Sequence, residues 1–297
     1  MLFTTFLLNG SEKIGVLKEG SYNILDISSI EEFKEISTML ELIEKTDSKE
    51  AIDSLKQSLD KGKEGHLISL DAVQLLAPIP RPIRDVICLG LNYKDHVAES
   101  KSVTNQQKQT IENPIYFSKM ASYIIGPDAA INSHSDITDE LDYEVELAII
   151  VGKEGTNIPR EKAEEYIFGY SILNDLTARN LQRKHNQWLK GKSLDTLTAM
   201  GPYILHKSAI PFPVALNLSS SVNGEVRQNS NTDKLIFDIP YIISDLSQGL
   251  TLRKGDIIAT GTPAGVGMGF NPPKYLKKGD TISCSIEGIG TIKNHVE

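Results

Sequence analysis

The segment Leu141-Asp142-Tyr143-Glu144-Val145-Glu146-Leu147 alternates apolar and acidic residues, so Glu144 and Glu146 share one face of a strand. At roughly 3.3 Å per residue their backbones stand about 6.6 Å apart, and carboxylates converging from that spacing can both reach one hard cation. An ordinary solvated strand face would carry the same pattern. Against it stands the continuation Ala148-Ile149-Ile150-Val151, which turns the acidic face apolar and puts both acids at the mouth of a buried layer. An unpaired acid there is costly, so each needs a partner. Asp175 ends the apolar run Tyr170–Asn174 ahead of a helix expected over Leu176–Leu189; it fits a helix N-cap or a third oxygen ligand equally well. As ligands, Glu144, Glu146 and Asp175 would set three negative charges against a divalent ion, and oxygen-only donors favour Mg2+ or Mn2+ over zinc.

His96 and Glu99 lie three residues apart and face the same way on a helical turn. A carboxylate beside an imidazole orients the ring and raises its basicity, which suits a base acting on water near neutral pH, although a surface ion pair has the same spacing. The glycine-rich segment Ala259–Gly269 follows a strand without the lysine of a Walker loop or the spacing of a dinucleotide fingerprint. Its backbone N–H groups and the Thr262 hydroxyl could hold a carboxylate; a plain connecting loop is the rival reading. Arg179, Gln182 and Lys192 follow closely on Asp175, and each taken singly reads as a solvated side chain. Neither G-x-S-x-G nor H-E-x-x-H occurs, which removes two common hydrolase templates.

These residues need a scaffold, and 297 residues with 40% hydrophobic and 24% charged side chains can build one without staples. Cys88 and Cys284 form no C-x-x-C pair, which argues against a disulfide framework or zinc knuckle and fits a reducing, cytoplasmic setting. A net charge of -8 with no dense Lys/Arg run speaks against nucleic acid and anionic membranes as partners. No apolar run approaches the ~18 residues of a membrane span, and the first eight residues read as a strand, not a signal peptide.

Residues 2–27 read as a meander with turns at Asn9-Gly10 and Glu19-Gly20. Ser29 with Glu32 predicts a capping box for a helix carrying Ile30, Phe33, Leu40 and Ile43; a second helix is expected over Ala51–Leu59, ending near Lys61-Gly62. The stiff segment Ala77-Pro78-Ile79-Pro80-Arg81-Pro82 is the predicted boundary between a small α+β domain, residues 1–76, and a larger domain, residues 77–297. Strands are expected at Asp85–Leu91, Leu141–Val151, Ile167–Leu173, Ala215–Val222, Ile257–Thr260 and Thr281–Ile286, and two helices stand out among them, one in Arg160–Tyr166 and one after Asp175. So few helices among so many strands imply an α+β, mainly β architecture. The polar stretch Ser100–Asn113 is a candidate lid.

Five segments resemble the fumarylacetoacetate hydrolase family: Gly90–His96, Leu141–Lys153, Asn174–Gln182, Gly191–Asp195 and Gly255–Pro263. They stand in the family's order and cover roughly residues 77–295, and the N-terminal portion is similar to a longer-headed subgroup containing hydrolases and 2-oxo-acid decarboxylases. The resemblance implies a mixed β-roll catalytic domain, a homodimer, and Mg2+ or Mn2+ held by Glu144, Glu146 and Asp175. It implies His96 and Glu99 as a water-activating dyad, Lys192 as a catalytic cation, and substrate contacts from Arg179, Gln182 and Thr262. Where many members read T-A-R-D, this chain has Asn180. The expected activity is metal-dependent cleavage of a C–C bond in a small anionic 2-oxo acid, an acylpyruvate such as fumarylpyruvate, through an enolate; oxaloacetate-type decarboxylation and 2-hydroxydiene-dioate isomerisation are the alternatives.

Overall fold

The computed structural model describes residues 1–18, 20–46, 49–61, 67–104 and 111–297. The predicted turn at Glu19, the helix end at Gly62 and residues 105–110 of the candidate lid lie outside the described residues. The architecture is mixed α/β and mainly strand. Its centre is Val145–Val151, whose β-branched run is buried along its whole length. That strand pairs antiparallel with Ile167–Asp175 on one side and with Ile257–Ala259 on the other. The sheet continues past Ile167–Asp175 through Thr198–His206, Leu2–Leu8, Ser11–Leu17 and Asn23–Asp26 to Leu67–Ser69. Past Ile257–Ala259 it runs parallel onto Val86–Gly90 and then antiparallel onto Ile115–Lys119. A second, five-stranded sheet contains Asn217–Val222, Thr281–Ile286 and Gly290–Val296.

Alternation along the central strand decides what each face meets. Val145, Leu147, Ile149 and Val151 belong to a core with Leu218, Ile282 and Ile292 of the second sheet. Ala148 and Ile150, on the opposite face, belong to a core with Phe3, Phe33, Leu42 and Leu55 from the N-terminal region. Glu146 shares this second parity. The first 76 residues are thereby joined to the large sheet, Leu2 and Phe3 pairing with Leu205 and Ile204, while Ala77–Pro80 passes buried beneath the strand Leu2–Leu8, with Thr5 Oγ1 donating to the Pro78 carbonyl.

Two local expectations are corrected. The residues after Asp26 form two short 3-10 turns, Ile27–Ser29 and Glu31–Phe33, and the helix begins only at Met39. Its capping box is Thr38 with Glu41, not Ser29 with Glu32, because Ser29 spends its hydroxyl on the Asp26 carbonyl. The single helix expected over Leu176–Leu189 is also broken. Thr177–Ala178 instead pairs with Leu141–Asp142, and two short helices follow, Arg179–Lys184 and Leu189–Lys192. Asp175 therefore caps no helix; it ends a strand with its carboxylate between two lysines. Arg160–Tyr166 is helical in the 3-10 form. No helix among the described residues is long and apolar enough to cross a membrane.

Candidate active site

Register brings the acidic residues together. Val145 pairs with Asn174, so Glu144 and Asp175 emerge side by side at the same end of adjacent strands, the Asp175 N–H donating to the Glu144 carbonyl at 2.9 Å. Ligand oxygens of Glu144, Glu146 and Asp175 lie within 4.8 Å of one another, and all three residues are buried.

Cations interleave with this cluster. Lys192 Nζ stands 2.7 Å from both Glu144 Oε2 and Asp175 Oδ2. Lys119 Nζ stands 2.7 Å from Asp175 Oδ1 and donates to the Leu176 carbonyl at 2.8 Å. Arg179 spreads its guanidinium over three partners: Nε donates to Asp142 Oδ2 at 2.8 Å, Nη1 to Gln182 Oε1 at 3.1 Å, and Nη2 lies 2.6 Å from Glu144 Oε1. Burial alone would raise the Glu144 pKa, but the adjacent Lys192 and Arg179 charges outweigh it and hold the carboxyl at about 2. Glu146 forms no ion pair among the described residues and accepts only the Gly261 N–H, at 2.8 Å. Burial, reinforced by the charges of Asp175 and Glu144, pushes it well above the usual carboxylate range.

Those features fit a divalent cation. Three buried oxygen donors converge, and burial, then the charges of Asp175 and Glu144, raise the pKa of one of them, a strain that a cation would relieve.

His96 and Glu99 come from the helix Lys94–Thr104. His96 Nδ1 lies 3.0 Å from Glu99 Oε2, so the ring presents its Nδ1–H to the carboxylate and keeps Nε2 as the acceptor. Glu99 is itself positioned by the Gly265 N–H, 2.9 Å from Oε1. Gly265 has φ +105, and a Cβ there would meet the Arg227 carbonyl oxygen at 2.0 Å, so only glycine offers that N–H in this place. Asp142 secures the next turn of the same loop by accepting the Gly267 and Met268 N–H groups.

A cavity of about 700 Å³ opens over the cluster, lined in part by His96, Glu144, Glu146, Gln182, Lys192 and Thr262. Every residue picked out from the sequence is thus within one neighbourhood, with Glu99 reaching it through His96. Gln182 must turn its oxygen to Arg179, a donor only, which leaves its amide NH2 for the cavity. The Thr262 hydroxyl donates to the Val145 carbonyl at 3.0 Å and accepts from Gln228 at 2.7 Å, so its proton is engaged within the protein. Asn180 accepts from Thr138 and donates to the Ile137 carbonyl, a pairing that an ionised aspartate could not complete.

Lys119, Asp142 and Gln228 escaped the sequence reading. Asp142 continues the acidic alternation by one more step and was in view there. Lys119 ends the apolar strand Ile115–Lys119, where a lysine with no room to reach water is the only signal. Gln228 lies 83 residues from Val145, whose N–H it accepts, and nothing in its neighbourhood marks it.

The model of the fumarylacetoacetate hydrolase C-terminal domain matches residues 85–297. The chain is 48% identical over 230 residues, 77% of its length and 75% of the relative's, to the oxaloacetate tautomerase YisK of Bacillus subtilis. A fumarylacetoacetate hydrolase structure from Exiguobacterium antarcticum superposes with a TM-score of 0.86 at 39% identity, covering 100% of this chain and 99% of that one. A maleylpyruvate hydrolase from Sphingobium sp. SYK-6, solved with manganese(II) and pyruvate, superposes with a TM-score of 0.76 at 29% identity, covering 100% and 98%. With most of its length matched by the family model and its whole fold shared with these enzymes, the chain belongs to the fumarylacetoacetate hydrolase family.

Proposed function

We propose that this protein is a divalent-metal enzyme that enolises a small 2-oxo acid anion, with oxaloacetate-type dicarboxylates as substrates and keto–enol tautomerisation as the reaction. The observation that carries this reading is a base and a carboxylate cluster meeting at one cavity: His96, backed by Glu99, lines it with Glu144 and Glu146, and Asp175 places a carboxylate oxygen within 4.8 Å of theirs. The 48% identity to an oxaloacetate tautomerase supports it. Glu144, Glu146 and Asp175 would hold Mg2+ or Mn2+, which would supply Lewis acidity to offset negative charge on the 2-oxo oxygen. His96 Nε2 takes a proton from the carbon beside the ketone, and Glu99 holds the imidazolium that results. Returning that proton to the oxygen gives the enol, and the reverse path gives the ketone. Lys192, fixed by two carboxylates, and the outward NH2 of Gln182 orient the substrate.

A second reading keeps the same residues but lets His96 activate water, so that an acylpyruvate such as fumarylpyruvate is cleaved to pyruvate and an acid. The roomy cavity and a maleylpyruvate hydrolase of the same fold favour it. Purified protein with Mn2+ or Mg2+ separates the two: enol absorbance of oxaloacetate, pyruvate release from oxaloacetate and loss of fumarylpyruvate are followed in parallel. Enol decay well above the metal-only control, abolished in His96→Gln, is the expected result. Enol decay no faster than the control would overturn the tautomerase reading, and metal-dependent fumarylpyruvate cleavage would put the hydrolytic one in its place.

A further inference from the structure

The cations nearest the acidic cluster are already engaged. Counted as ionised, the state a bound cation would favour, Asp142, Glu144, Glu146 and Asp175 face Lys119, Arg179 and Lys192, which leaves one unit of negative charge. A divalent ion would turn that into one unit of positive charge, matching the single carboxylate adjacent to a 2-oxo group. A dicarboxylic substrate brings a second anionic group, and it needs another partner.

Besides His96 and the engaged Arg179 and Lys192, the cavity wall has two further side chains able to carry positive charge, Arg183 and His185. Arg183 lies on the helix Arg179–Lys184 one turn beyond Arg179, about 6 Å along the axis. Arg179 is sealed in by Asp142 and Glu144, whereas the Arg183 side chain is 50% exposed. Glu140 engages it through Nη2 alone, at 2.7 and 2.5 Å, and the Tyr275 hydroxyl bonds to it as well. Such a rim ion pair is weak, so the guanidinium is held in place yet can take a second carboxylate on its remaining N–H groups. His185 is exposed beyond the helix end and has no comparable support.

We propose that Arg183, steadied by Glu140 and Tyr275, reads the distal carboxylate and makes the enzyme select dicarboxylic over monocarboxylic 2-oxo acids. This inference rests on the 2-oxo acid reading of the site. The test compares wild type, Arg183→Gln and Arg183→Lys on oxaloacetate and on pyruvate, whose methyl proton exchange is read by NMR in D2O. Arg183→Gln should raise the oxaloacetate KM about tenfold with kcat nearly kept, and shift the pyruvate KM far less. Arg183→Lys should recover part of the loss. Equal changes on both substrates, or none on oxaloacetate, would overturn the proposal. Calorimetry of the Mn2+-loaded protein with malate and lactate, which differ by that distal carboxylate, needs no turnover. A malate preference that disappears in Arg183→Gln supports Arg183 even if the protein enolises nothing; a preference unchanged by the substitution refutes it even if oxaloacetate is a substrate.

Discussion

Lys119 Nζ lies 2.7 Å from Asp175 Oδ1, and both side chains are wholly buried. Burial pulls the lysine pKa down while Asp175 pulls it up, and burial prevails in part. Asp175 is thereby clamped on both oxygens, by Lys119 on one and Lys192 on the other. The clamp sets where the carboxylate can point, which is why a lysine far outside the acidic segment belongs to the site.

Replacing Lys119 by Met should therefore leave Asp175 half-paired in a dry environment, at a cost of roughly 3–5 kcal/mol. Urea unfolding of K119M, D175N and the double variant measures this. The double variant should be less destabilised than the sum of the singles, because it removes the stranded charge along with its partner. Additive losses would mean that the pair is not coupled.

Metal binding should be visible without turnover. Glu146 is pushed upward by burial and then by the charges of Asp175 and Glu144, so a divalent ion, which needs the ionised carboxylate, competes with a proton there. Affinity for Mn2+ should accordingly tighten as pH rises from 6 to 8. At a hundredfold excess over Kd the gain in stability is about 2.7 kcal/mol. Thermal melts with and without Mn2+ should show an upward shift in the wild type, larger at the higher pH, and almost none in Glu146→Gln.

Gly269 offers a way to disturb Glu99 without touching it. A Cβ at this position would sit 2.0 Å from Glu99 Oε1, so Gly269→Ala must push the carboxylate away from the Gly265 N–H and from His96. The obstructed group is the end of a flexible side chain, so the fold should survive. We expect kcat to fall about tenfold or more while the melting temperature moves little. Unchanged kcat would mean that the Glu99 contact with His96 is dispensable.

The alternation around Glu144 and Glu146 was legible because a strand's two-residue period is local: seven consecutive residues suffice to place both acids on one face. The role of Asp175 was ambiguous for the same reason. Asp175 looks equally like a cap, and only the pairing of Val145 with Asn174, set by sheet register, decides what it faces. Lys119 and Gln228 were illegible because their partners lie across strands that are remote in sequence. The helix expected after Asp175 failed through tertiary override. Thr177 and Ala178 gain ladder bonds against Asp142 and Leu141 that a helix would forgo, and this kink is what lets Arg179 reach Glu144.

His206 gives the seam between the N-terminal strand and the large sheet a pH signature. Its ring meets those of Phe3 and Phe168 at an angle, its backbone N–H donates to the Met1 carbonyl, and its Nδ1 accepts from the Ser208 N–H. Burial, then the charges of Lys207 and Lys56, depress its pKa from 6.5 to about 3. The unfolded chain therefore binds a proton at mildly acid pH that the folded chain refuses. Stability from this group is complete above about 6.5, declines as pH falls, and levels off near 3. Between pH 7.5 and 5 the loss should be about 2 kcal/mol. Urea midpoints across that range should drop steeply in the wild type and more gently in His206→Gln, whose amide cannot charge. Parallel slopes in the two proteins would place the acid sensitivity elsewhere.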